Sequence, residues 1–354
     1  MKGLVLAGGR GTRLRPLTYT MAKQLVPVAN RPVLHYVMEH LCQAGIRDVG
    51  VIVSPDTADQ IREALAPNHW KANFTFILQA EPLGLAHAVK TARTWLGDSS
   101  FIMYLGDNLI GRGVGDLIER FQEEQPDAVV LLKEVSDPRR FGVAVVDSSG
   151  RIVQLVEKPA NPPSPYAMVG VYLFSAAIHD AISAIKPSWR GELEITDAIQ
   201  QLLDGGRRVD SRMLTSWWLD TGKKDDLLEA NRVVLDEWVE RKIAGDVDAA
   251  SAITGKVSLE AGVRVERSTI RGPVVVAEGC AILDAFVGPY TSIGPNCTIT
   301  RSRVEHSVLL AGSSLEGVDS LEDSVLGHNA KVARDNHAHR ALRLMIGDDC
   351  EVCL

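Results

Sequence analysis

The chain has 354 residues, 45% of them hydrophobic and 23% charged, with a formal net charge of −7. That length accommodates two domains with substantial cores, and the acidic balance argues against nucleic acid as a partner, because such a surface shows as a basic excess. No run approaches the roughly 20 consecutive apolar residues of a membrane span, and Lys2-Gly3 leads directly into a strand with no secretory-signal pattern, so a cytoplasmic protein with no membrane partner is expected.

From Met1 to about Asp236, short apolar strands alternate with helical patterns, the sequence form of a mostly parallel sheet with helices on both faces. The first strand, around Leu4 to Ala7, runs into a loop with Gly8, Gly9 and Gly11. Its backbone N–H groups can close around an anion without Cβ atoms in the way. Arg13, Arg15 and Lys23 add more positive charge than one phosphate needs, so a polyphosphate is the expected guest. The loop is not the dinucleotide fingerprint, which needs glycine where Leu14 stands, nor the ATPase loop, which needs Gly-Lys followed by Ser or Thr. A tight strand-to-helix turn is the plain alternative.

A helix is expected over 33–44, with Leu34, Val37, Leu41 and Ala44 at helical spacing. Strands follow at 49–53, 74–78 and 101–105, separated by helices near 59–65 and 85–96. Gly8, Gln79 and Asp107 each fall just beyond the carboxyl end of a strand, where ligands gather in such sheets. A strand near 128–135 precedes a hairpin of 142–146 and 152–156 turning at Asp147-Ser148-Ser149-Gly150. A strand at 168–174, helices near 176–185 and 195–203, and a long helix over 225–242 complete the domain.

Beyond Gly245 the pattern changes. Aliphatic residues return at Ile270, Val276, Ile282, Val287, Ile293, Ile299, Val304, Leu310, Leu315, Leu321, Leu326 and Val332, always five or six residues apart. This is the hexapeptide repeat of a parallel β-helix, with one inward aliphatic residue per face and three faces per coil. The domains are therefore expected over 1–244 and 245–354. The odd set of five cysteines, Cys42, Cys280, Cys297, Cys350 and Cys353, has no framework spacing and reads as reduced thiols. Cys350 and Cys353 have C-x-x-C spacing, but a zinc site there would need a second pair of ligands.

The opening, Leu-Ala-Gly-Gly-Arg-Gly-Thr-Arg-Leu followed by Lys23-Gln24-Leu25-Val26-Pro27-Val28, resembles the signature of the sugar-1-phosphate nucleotidylyltransferases. Further matches run in order along the chain: Gln79 with Gly84-Leu85-Ala86, Leu105-Gly106-Asp107-Asn108, Phe141-Gly142-Val143, Glu157-Lys158-Pro159, Gly191 to Asp197, and Trp218-Leu219-Asp220-Thr221-Gly222. Within the family the chain is most similar to the glucose-1-phosphate thymidylyltransferase group in its longer form. The resemblance implies a Rossmann-like mixed, mostly parallel α/β sheet domain followed by a left-handed parallel β-helix. It implies dTTP and glucose 1-phosphate as substrates, dTDP-glucose and pyrophosphate as products, and Mg²⁺ as cofactor.

In that reaction an oxygen of the sugar phosphate, already ionised at neutral pH, attacks the α-phosphorus, so catalysis rests on positioning and charge neutralisation. The resemblance makes Asp107 and Asp220 the metal ligands, consistent with the one or two carboxylates Mg²⁺ prefers, although an aspartate after a strand is by itself an ordinary cap or turn residue. Arg13 and Lys23 are assigned to the triphosphate, Lys158 to the sugar phosphate and Glu157 to sugar hydroxyls. These six residues (Arg13, Lys23, Asp107, Lys158 and Asp220 catalytic, Glu157 binding) are joined by Gly8, Gly9, Gly11, Thr12, Gln24, Gln79 and Gly84 for the nucleotide. Asn108, Gly142, Val169 and Trp218 are assigned to the sugar pocket. The amide of Gln79 suits a pyrimidine edge.

Other readings stay open at this point. The same chemistry with UTP, CTP or GTP uses the same loop and aspartates. Hexapeptide β-helices often bind acyl-coenzyme A, which would recruit His306, His328, His337 or His339 as a base. A non-catalytic regulator of the same fold should have lost a metal aspartate or loop cation, and none is lost here. The β-helix is then read as a homo-oligomerisation element, and feedback control known for the shorter enzymes is not carried over.

Overall fold

A computed structural model describes residues 1–9, 11–148 and 150–334. Contacts divide the described residues into two compact units, one within 1–9, Met21–Leu25 and Val33–Leu219, the other within Gly11–Thr20, Val26–Pro32 and 220–334.

The first unit is built on a nine-stranded mixed sheet. Its main path runs Ile152–Glu157, Gly142–Val146, Tyr166–Phe174, Phe101–Leu105, Lys2–Leu6, Asp48–Val53 and Asn73–Leu78, with Ala128–Glu134 and Val209–Met213 joined to it. The Lys2–Leu6 strand is central and parallel to both neighbours. Alternation decides which face each residue serves: Leu4, Leu6, Phe101 and Met103 lie in one apolar cluster, whereas Val5, Ala7, Ile102 and Tyr104 lie in the other. Helix Val33–Gln43 covers the second face with Leu34, Val37, Met38 and Leu41, and helix Ile195–Asp204 covers the first with Ile195, Ile199 and Leu202. This is the doubly covered sheet expected from the alternating pattern.

The structure adds a strand at Asn108–Ile110, a helix at Gly115–Glu124 and the strand Val209–Met213. The helix buries only Ile118 and Phe121, too narrow a stripe for its period to stand out. The helix expected over 85–96 breaks at Ala92 into Leu85–Thr91 and Arg93–Leu96. The long helix spans Lys224–Trp238, shorter than expected, because Lys242–Ile243 is already a strand paired in parallel with Val257–Leu259.

In the second unit, three all-parallel sheets form the walls of the β-helix. Ile253, Ile270, Val287 and Val304 align coil upon coil, and Leu259, Val276, Ile282, Ile293, Ile299 and Leu315 fill the same interior. One register expectation is corrected: Leu309, not Leu310, pairs with Ile293 and points into this core. Cys42, Cys280 and Cys297 are free and buried, whereas Cys350, Cys353, His337 and His339 lie outside the described residues.

One face of the β-helix is buried on its outer side as well, at Val275, Ser292 and Val308. The Asn231 side chain, fully buried in helix Lys224–Trp238, lies there. Its Oδ1 accepts from the Ala29 N–H at 2.9 Å and the Ser292 hydroxyl at 2.7 Å, and its Nδ2 donates to the Tyr290 carbonyl at 3.1 Å. A leucine of similar size would take this partner from all three groups, and would leave the hydroxyl of the fully buried Ser292 without it. Asn231→Leu is therefore expected to lower stability by about 3 kcal/mol in denaturant unfolding; a neutral result would show that water replaces the amide.

Candidate active site

The site forms where the parallel strands end. After Lys2–Leu6 the chain crosses the ends of its neighbours, so that a Cβ on Gly8 would stand 3.4 Å from the Ser54 nitrogen and 3.8 Å from Gln79 Oε1. The Gly106 N–H donates to the Leu6 carbonyl at 2.9 Å, which keeps the next turn, Asp107-Asn108, beside the same loop. Gln24 is buried behind it, with its Nε2 3.5 Å from where Gly9 would carry a Cβ.

Lys23 makes a direct ion pair with Asp107 Oδ2, the two side chains being 8% and 19% exposed. Burial pushes the Asp107 carboxyl up, but the charge and hydrogen bond of Lys23, with the bond from Asn108, outweigh it and hold the group below its ordinary range. Asn108 donates to Asp107 Oδ1 at 2.9 Å and accepts from Trp218 Nε1 at 2.6 Å. Glycine at 170 makes the room, since a Cβ there would come within 2.7 Å of the Asn108 oxygen. The pairing of Tyr166–Phe174 with Ala128–Glu134 shifts register across this point. Trp218 also packs on Phe141, ring centroids 4.8 Å apart.

The second cluster lies around Glu157. Its Oε2 accepts from Thr196 Oγ1 at 2.6 Å, and its Oε1 is 3.3 Å from Lys158 Nζ and 3.5 Å from Arg190. A Cβ on Gly142 would fall 2.8 Å from Thr196 Oγ1 and 3.3 Å from Glu157 Oε2, so Gly142 borders the same space. Arg190 also meets Glu192 at 2.8 Å and Glu194 at 3.2 Å. Burial pushes the Glu194 and Asp197 carboxyls up, with Glu157 adding to the effect. Hydroxyl-rich ligands suit such a mixed array of acceptors and fixed cations. Val169 is fully buried in the apolar core, so its side chain is spent on packing.

Gln79 donates through Nε2 to the Gly84 carbonyl at 3.3 Å and shares a 2.9 Å hydrogen bond with His87 Nδ1. Gly84 itself has φ +106°.

In the second unit, Gly11 takes a left-handed φ of 63° ahead of the short Thr12–Leu14 turn, and its carbonyl accepts from Thr18 Oγ1 at 2.7 Å. Arg13 and Asp220 come together around Gly222, where a Cβ would be 3.2 Å from Arg13 Nη2 and from both Asp220 oxygens. Among the described residues no three His, Cys, Asp or Glu side chains converge as a metal cage. The carboxylates of Asp107 and Asp220 are hard oxygen donors, which suit a hard divalent cation and not a zinc-type site.

Three contributors escaped sequence reasoning. Arg190 stands one residue ahead of the acidic motif that it binds, Thr196 sits within that motif with no role assigned to it, and His87, which closes the Gly84-Leu85-Ala86-His87 run that favours a pyrimidine, is given no side-chain role by that pattern. A lone arginine or histidine has no spacing signal; only the fold brings it to its partner.

Residues 2–237 match the nucleotidyl transferase family. A glucose-1-phosphate thymidylyltransferase of Streptomyces antibioticus is 50% identical over 354 residues, 99% of each chain. A candidate glucose-1-phosphate thymidylyltransferase from Bacillus anthracis, solved in complex with sucrose, superimposes with a TM-score of 0.62 at 34% identity, covering 66% of this chain and 94% of that one. A UDP-glucose pyrophosphorylase solved with UDP-glucose gives a TM-score of 0.61 at 25% identity over 67% and 98% of the two chains. With the glycine loop, the buried Lys23–Asp107 pair and the Glu157 cluster all in place on this sheet, the chain belongs to the nucleotidyl transferase family.

Proposed function

We propose that the protein transfers a thymidylyl group from dTTP to glucose 1-phosphate, giving dTDP-glucose and pyrophosphate. The observation that carries this reading is the 50% identity to a glucose-1-phosphate thymidylyltransferase over 99% of both chains, repeat region included. An oxygen of the sugar phosphate attacks the α-phosphorus, the bond to the bridging oxygen breaks, and its electron pair leaves on pyrophosphate. No proton need move. Lys23 and Arg13 hold the triphosphate and neutralise the departing pyrophosphate, Lys158 holds the sugar phosphate, and Glu157 accepts from sugar hydroxyls. Gln79 and the backbone around Gly84 read the base.

The family generally uses a divalent metal, and Mg²⁺ held by Asp107 and Asp220 is the cofactor proposed here. When bound it supplies positive charge at the α-phosphate. We take 1–244 as the catalytic domain and 245–354 as a repeat domain for self-association in a cytoplasmic homo-oligomer. No helix among the described residues is long and apolar enough to cross a membrane.

The test is pyrophosphate release from glucose 1-phosphate and Mg²⁺ with dTTP, UTP, CTP, ATP and GTP offered separately. The expected result is the highest kcat/KM with dTTP, and loss of release in Asp107→Asn. A clear preference for another nucleotide would replace the substrate assignment, and no release with any would overturn the enzymatic reading.

A further inference from the structure

The amide of Gln79 is not free to choose its orientation. Its Nε2 faces the Gly84 carbonyl at 3.3 Å. A carbonyl can only accept, so the NH₂ end of the amide must point there, because the flipped amide would set two oxygens against each other. The same nitrogen stands 2.9 Å from His87 Nδ1. Since an amide nitrogen only donates, Nδ1 must carry a lone pair and His87 must be neutral with its proton on Nε2. Partial burial of the ring, and the charge of Lys90 on the same helix, favour that neutral form against the opposing charge of Glu81. Both Nε2 protons are thereby consumed within the protein. The remaining polar atom, Oε1, lies on the side of the glycine loop, 3.8 Å from where Gly8 would carry a Cβ.

On the reading that Gln79 meets the base, we infer that His87 is a specificity-determining positioning residue: it locks the Gln79 amide with its oxygen outward, and so selects pyrimidines that carry an imide N–H. Thymine and uracil present a donor at N3, which a fixed carbonyl oxygen accepts. Cytosine presents a lone pair at N3, and the same oxygen repels it. An amide held only by the Gly84 carbonyl loses the second restraint, turns more readily, and can offer NH₂ to cytosine. His87 does not separate thymine from uracil, since both are imides.

The experiment measures kcat/KM for dTTP and for dCTP, and KM for glucose 1-phosphate, in the full chain and three variants. His87→Leu is expected to lower the dTTP-to-dCTP ratio about tenfold, the scale of one hydrogen bond, with KM for glucose 1-phosphate unchanged. His87→Gln, whose side-chain oxygen accepts from the same NH₂, is expected to restore the ratio. A ratio unmoved in His87→Leu, or a uniform fall in all parameters that His87→Gln does not repair, would overturn the inference. Gln79→Leu separates the two levels. If it leaves the ratio unchanged, Gln79 does not read the base and the parent reading fails; if it collapses the ratio while His87→Leu does not, only the role of His87 fails. Side-chain ¹⁵N spectra, with His87→Gln to assign the resonance, should show Nδ1 unprotonated at neutral pH, and a protonated Nδ1 would refute the lock directly.

Discussion

Replacing Lys23 with methionine is expected to reduce kcat/KM for dTTP and glucose 1-phosphate by about 10³-fold, the scale of losing one preorganised charge from a developing anion, and to cost roughly 3–5 kcal/mol of stability. Both effects have one origin. Lys23 is 7% exposed and its ammonium pairs directly with Asp107, so its removal deprives a largely buried carboxylate of its main counter-charge. Breaking one side of a buried pair costs far more than the pair contributes, because the surviving charge keeps its desolvation penalty. The comparison is Lys158→Met. That side chain is 37% exposed against Glu157 at 16%, and its loss should raise KM for the sugar phosphate with little change in the unfolding midpoint. Steady-state kinetics well below the midpoint, alongside thermal unfolding, separates the two. Full stability in Lys23→Met would mean that Asp107 finds another partner, and a small kinetic effect would remove Lys23 from the triphosphate site.

Much of this site is legible in the sequence because glycine and strand signals are local. The run Leu4 to Gly11 encodes a strand and an open loop in adjacent residues, and Asp107 comes one glycine after the apolar run Phe101 to Leu105, whose length and flanking glycine suit a buried strand. The β-helix is legible for a related reason: its inward residues recur every five or six positions, a spacing that Leu309 and Leu310 both satisfy, so that only the pairing with Ile293 decides between them. What stays hidden depends on partners far apart in the chain. Asn231 is one polar residue in a helix until Ala29, Tyr290 and Ser292 surround it. Arg190 is an ordinary loop arginine until it meets Glu157, Glu192 and Glu194. The side-chain role of His87 becomes visible only through the geometry of the Gln79 amide. The Gly115–Glu124 helix hides for the opposite reason, since a glycine-rich lead-in and a narrow stripe imitate a loop.

The Gly84→Ala exchange adds one methyl group and is expected to cost about 4 kcal/mol, an unusually large effect for so small a change. At φ +106° and ψ 169° the backbone lies where L side chains are strained by about 1–3 kcal/mol. The new Cβ would also sit 2.3 Å from the Leu193 oxygen, 2.7 Å from its nitrogen and 2.9 Å from its carbonyl carbon. These are backbone atoms fixed on both sides: the Leu193 N–H donates to the Leu83 carbonyl at 2.7 Å, and its own carbonyl accepts from the Ala86 N–H at 3.0 Å. Relief therefore requires giving up one or both hydrogen bonds, at about 1 kcal/mol each. Gly45→Ala supplies the comparison, since Gly45 has a φ of +81° with nothing within 4 Å of its missing Cβ, so that it should show backbone strain alone. The excess loss in Gly84→Ala measures the collision with Leu193, and equal midpoints in the two variants would show that the Leu193 segment yields freely. The same displacement moves the carbonyl that holds the Gln79 amide at 3.3 Å. KM for dTTP should consequently rise in Gly84→Ala at temperatures where the protein remains folded, while Gly45→Ala leaves it unchanged.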